Sequence, residues 1–157
     1  LPTSSGIAMT VIDHPGRKTI RVVLDREGQE EEIKVIVSGE ERGEYEVSVE
    51  MIHRAKRTKG RVLVKGVARE GMKIKMKGVV IIEKGADGAD DFLEMRGLMM
   101  DGGVVEVEPV MEILANEVKA SHAASVGRID EEQLFYLMSR GVTKEEAKGM
   151  VVEGFVR

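Results

Sequence analysis

Residues 118–141 read VKASHAASVGRIDEEQLFYLMSRG, and the spacing of apolar positions changes partway through them. Val118, Ala120, His122, Ala124 and Val126 are two apart, so in an extended chain they share one face, and His122 points with the apolar set. From Asp130 onward the spacing is helical: Leu134, Leu137 and Met138 form a stripe that Phe135 widens. Asp130 can accept from the first free amides, Gln133 stands where a capping box returns the bond, and Gly141 offers the left-handed position that closes a helix. Thr143 and Glu146 repeat the device, and Ala147, Met150, Val151 and Phe155 supply the buried side of a second helix. A strand gives way to a short helical hairpin. The expected boundary divides a β core, residues 1–128, from a C-terminal helical subdomain, residues 129–157.

Upstream, strand follows strand. Tyr45, Val47, Val49 and Met51 share a face, and Ile74 and Met76 alternate with Lys73, Lys75 and Lys77. GVVIIE (78–83), GLMM (97–100) and VVEVEPVMEI (104–113) continue the series without an intervening helical pattern. Runs that are apolar on both faces suit strands covered on both sides. Such strands fit a sandwich, a barrel or a β-helix, and periodicity leaves the three open. No strict six-residue repeat is present, and segment starts near Arg61, Val79, Leu98 and Pro109 are unequally spaced, so a solenoid of this sequence is irregular.

Composition narrows the function. With 42% hydrophobic and 33% charged residues in 157, the chain is a globular domain able to bury its own core. No run approaches the ~18 apolar residues that span a bilayer, and no basic-flanked leader is evident, so the expectation is no membrane and a cytoplasmic setting. The absence of cysteine removes disulfides and thiolate ligands, leaving His, Asp and Glu for metal chemistry. Acids dominate residues 25–50 and bases residues 54–77. A pI of 5.5, few aromatics and no recognition-helix pattern nevertheless argue against nucleic acid.

The segment SHAASVGRIDEEQLFYLMSRGVTKEEAKGMVVEGF (121–155) resembles the C-terminal core of the SufB/SufD family of iron–sulfur cluster assembly proteins. The resemblance continues more weakly through His53, GRVLVKGVA (60–68), MKGVVIIEKGADGADDF (76–92) and MRGLMMDGG (95–103), about the last two-thirds of the chain. It implies a parallel right-handed β-helix with a helical C-terminal subdomain. It also implies a non-enzymatic scaffold, closer to SufD than to SufB, that dimerises through the β-helix with itself or a SufB/SufD-like partner. The helical subdomain would dock a SufC-type ABC ATPase, and a transient iron–sulfur cluster would be shared with the partner, none being bound by this chain alone.

His122 is the leading site residue: the resemblance matches Ser121 and His122 to a Ser-His pair near the junction with the partner β-helix. Relatives often carry Cys where this chain has Ala120, and the SufB type carries Glu where it has Ala123, so two expected donors are missing. Glu117 lies on the opposite face of a regular strand from His122 and is a weak second ligand. Phe135, Tyr136, Met138, Met150 and Phe155 exceed what two short helices bury on one face and are the expected partner contacts. His53 and Thr58 are expected to share a corner hydrogen bond. Adjacent residues on a strand face apart, so Ser121 and His122 with Asp130 do not form a catalytic triad. GADGAD (85–90) lacks the lysine and the following helix of a phosphate loop. The alternatives are a β-helix enzyme acting on a sugar or acyl substrate, or a truncated structural paralogue without cluster chemistry. Missing carboxylate pairs and scarce aromatics weigh against the enzyme.

Overall fold

The computed structural model describes residues 7–157, which form nine strands followed by two helices. The strands are β1 (Ile7–Ile12), β2 (Gly16–Leu24), β3 (Glu30–Val37), β4 (Gly43–His53), β5 (Lys59–Ala68), β6 (Met72–Ile82), β7 (Asp90–Met99), β8 (Val104–Ile113) and β9 (Lys119–Arg128). The helices are α1 (Glu131–Ser139) and α2 (Lys144–Val156). Odd strands build one sheet in the order β1-β3-β5-β7-β9 and even strands a second in the order β2-β4-β6-β8. Every pairing is parallel. A chain that alternates between two parallel sheets is a β-solenoid, here of about four turns, so the sandwich and the barrel are excluded.

The register makes the coil length visible. One step is 29 residues, as from Glu30 to Lys59 or Gly43 to Met72, or 31, as from Lys59 to Asp90 or Lys73 to Val104. The first is shorter, Ile7 facing Glu32. The starts at Arg61, Val79, Leu98 and Pro109 look unequal because they alternate between sheets and sample half-coils at different depths along their strands.

Inward side chains stack in columns, Val35–Val64–Met95 in the first sheet and Val47–Met76–Val107 in the second. They fill one core between the sheets. Val67 and Leu98 face the other way, off the outer side of the first sheet, and pack with Met100, Ile129, Leu134, Ala147 and Val152 beneath the helices. The outer faces of β5 and β7 turn apolar at Val67 and Leu98, where the sheet carries the hairpin.

One corner of each coil repeats a left-handed residue: Gly28 (φ 73°), Arg57 (φ 54°), Gly88 (φ 78°) and Glu117 (φ 53°). Successive corners are stitched by backbone bonds from Gly28 N–H to Lys56 O, Arg57 N–H to Asp87 O and Gly88 N–H to Glu117 O. Glycine takes this conformation without cost, and the other two residues do not.

Candidate functional site

The last coil is open. Strand β9 pairs with β7 on one side only, and the second sheet ends at β8. Ala120, His122, Ala124 and Val126 fall in register with the inward residues Asp91, Leu93, Met95 and Gly97, so β9 continues the inward columns. Among the described residues no further strand covers them, and His122, Ala124 and Val126 are exposed although they face the interior side of the sheet. Ile113 and Leu114, at the end of β8, are also exposed. His122 is therefore an imidazole presented at the rim of an apolar opening.

Glu117 does not join it. It occupies the left-handed corner before β9 and belongs to no strand face, so the expected opposite-face placement on a regular strand does not describe it. Among the described residues no three His, Asp or Glu side chains converge to hold a metal ion. The rim supplies one imidazole.

The hairpin is anchored at both ends. Asp130 accepts from Glu132 N–H at 2.9 Å, while the reciprocal Gln133 bond is not formed. Thr143 and Glu146 make the full capping box, with bonds of 3.2 and 2.8 Å. Lys148 bridges to Asp101 at 3.0 Å in the turn between β7 and β8. At the far end Lys65, only 5% exposed, donates from Nζ to the carbonyls of Phe155 at 2.8 Å and Arg157 at 2.9 Å. The last carbonyls of α2 thus find a cation reaching up from the sheet. Burial, and after it the nearby Lys34 and Arg96, lowers the Lys65 pKa.

The five aromatic and methionine side chains of the hairpin divide. Phe155 packs into the second core, its ring 5.3 Å from the Arg96 guanidinium and 5.7 Å from Lys65 Nζ, so it serves the docking of the hairpin itself. Phe135 is 75% exposed, Tyr136 55%, Met138 40% and Met150 49%. The expected buried side of α2 is thereby corrected: Val152 is buried and Met150 is not, because α2 turns Ala147 and Val152 toward Val67 and Leu98. Met138 likewise leaves the stripe, which rests on Leu134 and Leu137. Tyr136 is partly engaged, its hydroxyl accepting from Arg140 at 2.8 Å.

A buried polar group lies one rung below Ala120. His53 Nδ1 meets Thr58 Oγ1 at 2.8 Å, and His53 Nε2 meets Asp91 Oδ2 at 2.7 Å, with the His53 and Asp91 side chains fully buried. Thr58 donates its hydroxyl to Ala55 O, so its oxygen accepts and Nδ1 carries a hydrogen. Asp91 Oδ1 has no partner among the described residues. Burial raises the Asp91 pKa above the usual carboxylate value, against the pull of His53 and Arg61. Gly60 makes the room: a Cβ there would overlap Asp91 Oδ2.

Compared with known proteins, the chain matches the family model described as SUF system FeS cluster assembly, SufBD core domain, over residues 5–155. The chain belongs to the SufBD family. It is 38% identical over 112 residues to the iron–sulfur cluster assembly protein SufB of Bacillus subtilis (strain 168), covering 71% of this chain and 24% of that protein. An iron–sulfur cluster assembly SufBD family protein of Mycobacterium bovis is 36% identical over 127 residues, covering 80% of this chain and 15% of that one. One of Staphylococcus aureus (strain USA300) is 35% identical over 112 residues. The chain spans a quarter or less of the length of these relatives.

The SufBD match reaches the N-terminal third, where short apolar runs alone carried little signal. Sequence reasoning overlooked Lys65 and Asp91. Lys65 stands out only as the one charged residue of the run 62–68, and Asp91 meets His53 across 38 residues and from the opposite sheet, a contact that no local pattern reveals.

Proposed function

We propose that this SufBD chain is a non-enzymatic scaffold in iron–sulfur cluster assembly, acting in the cytoplasm. Its helical hairpin docks a SufC-type ABC ATPase, and its open coil meets a SufB/SufD-like β-helix. ATP hydrolysis belongs to the ATPase. The observation that carries this reading is the contrast within the hairpin: capped, tied down by Lys65 and Lys148, yet leaving Phe135 and Met138 to solvent on adjacent positions of α1. Large exposed apolar side chains on an anchored element suit a docking face.

His122 at the rim supports the second half of the proposal: one ligand offered where another chain completes the shell. The cluster is cargo, shared with the partner and held transiently. Anaerobic reconstitution with iron and sulfide, using this chain mixed with a thiolate-bearing SufBD partner, tests it. Cluster absorbance should form in the mixture and fall with His122→Ala; an equal yield from the variant contradicts the role of His122.

A further inference from the structure

The outer face of the second sheet carries its charge strand by strand. The register places Arg17 and Arg21 outward on β2, Glu44, Glu46 and Glu50 on β4, Lys73, Lys75 and Lys77 on β6, and Glu106, Glu108 and Glu112 on β8. The sign reverses at every step across the sheet. The row Arg17–Glu46–Lys75–Glu106 is in direct register. Ion pairs follow from it, Arg17 to Glu46 at 2.8 Å and Lys73 to Glu106 at 3.4 Å. In a parallel sheet whose coils are nearly equal in length, such alternation favours the native neighbours, because a slipped order would set like charges side by side.

The alternation stops at β8, the edge of the sheet. Glu106 and Glu108 have Lys75 and Lys77 beside them on the β6 side, Glu112 has Ile81, and among the described residues no strand lies on the other side. Glu108 and Glu112 make no ion pair among the described residues. Pro109, on the same strand, has no amide hydrogen, so a strand docking there cannot form an unbroken ladder, and side chains decide what is admitted.

We infer that β8 is a charge filter at the open end. It accepts a partner's β edge bearing Lys or Arg at alternate outward positions, and it turns away the β8 of a second copy, whose Glu106, Glu108 and Glu112 would confront its own. The partner's next strand would extend the plus–minus order by one step. The inference rests on the proposed function only in that another chain meets this end, and it specifies the chemistry of that chain's edge.

A charge-reversed copy of the protein is the probe. The wild-type chain is mixed with Glu106→Lys/Glu108→Lys/Glu112→Lys and followed by sedimentation velocity and amide exchange. The mixture should associate roughly ten-fold more tightly than either protein alone, protect β8 amides, and lose the advantage at high salt. Glu106→Gln/Glu108→Gln/Glu112→Gln keeps side-chain length without setting lysine against Lys73 and Lys75, and it should self-associate more than wild type. A mixture no tighter than its components, or wild-type pairing through β8 that neutralisation leaves unchanged, overturns the filter and leaves the acids as simple edge protection. ATPase binding through Phe135 is measured on all three proteins. If it persists while the mixture fails to pair, only the filter falls; if it is absent from wild type, the proposed function falls instead.

Discussion

His122 lies directly beyond Leu93 in the same inward column, one strand further out, yet Leu93 is fully buried and His122 is exposed. The two positions have the same strand geometry and differ only in whether a further rung covers them. Stability should register that difference. Leu93→Ala is expected to cost about 2–5 kcal/mol in urea unfolding, and His122→Ala less than about 0.5 kcal/mol. A large loss at His122 would mean that the imidazole is part of the packed core.

The pair His53–Asp91 separates geometry from charge. Asp91→Asn keeps a group that can bond His53 Nε2 and removes a buried carboxylate, whereas Asp91→Ala leaves Nε2 unpaired and should cost about 1–3 kcal/mol. Because the folded-state pKa of Asp91 is raised, its contribution is most favourable below the unfolded value of 3.8 and is lost as pH rises through the folded one. The advantage of Asn over Asp should therefore be largest near neutral pH and shrink on acidification. Urea unfolding of the three proteins across that range checks the sign.

Lys65 ties the hairpin to the solenoid. Replacing it by Met leaves the carbonyls of Phe155 and Arg157 without their donor and is expected to cost about 1–3 kcal/mol, felt locally. Hydrogen exchange should show α2 amides opening faster while β4 and β6 are unchanged. Uniform acceleration would place Lys65 in the global fold instead.

Glu117 takes a left-handed conformation at a corner where two equivalent positions are glycine. Glu117→Gly is expected to raise stability by about 1 kcal/mol in thermal unfolding. A loss would show that the Glu117 side chain supports the corner in a way its backbone does not explain.

What was legible in the sequence follows from range. The change of period between Val126 and Asp130, the caps at Asp130 and Thr143, and the closing Gly141 are local, and the structure has β9, α1 and α2 at those places. The parallel pairing was legible only through the family resemblance and not from any local pattern, because it depends on which residues meet 29 or 31 positions apart, as Glu30 meets Lys59. Asp91 was hidden from His53 because they lie 38 residues apart, on β7 and β4 in different sheets. The exposure of Met138 and Met150 was hidden for a related reason: helical spacing shows which residues share a face, but not which face the sheet takes. Val67 and Leu98, far upstream, make that choice.

The exposed hairpin face is either a docking surface or an idle lid on the second core. Titration of this chain with a SufC-type ATPase, followed by sedimentation velocity, measures it most directly. A docking face gives a saturable complex that Phe135→Asp with Met138→Asp weakens at least roughly ten-fold while circular dichroism and thermal unfolding stay near wild type. A complex unchanged by the double variant, or none with the wild-type chain, would contradict it.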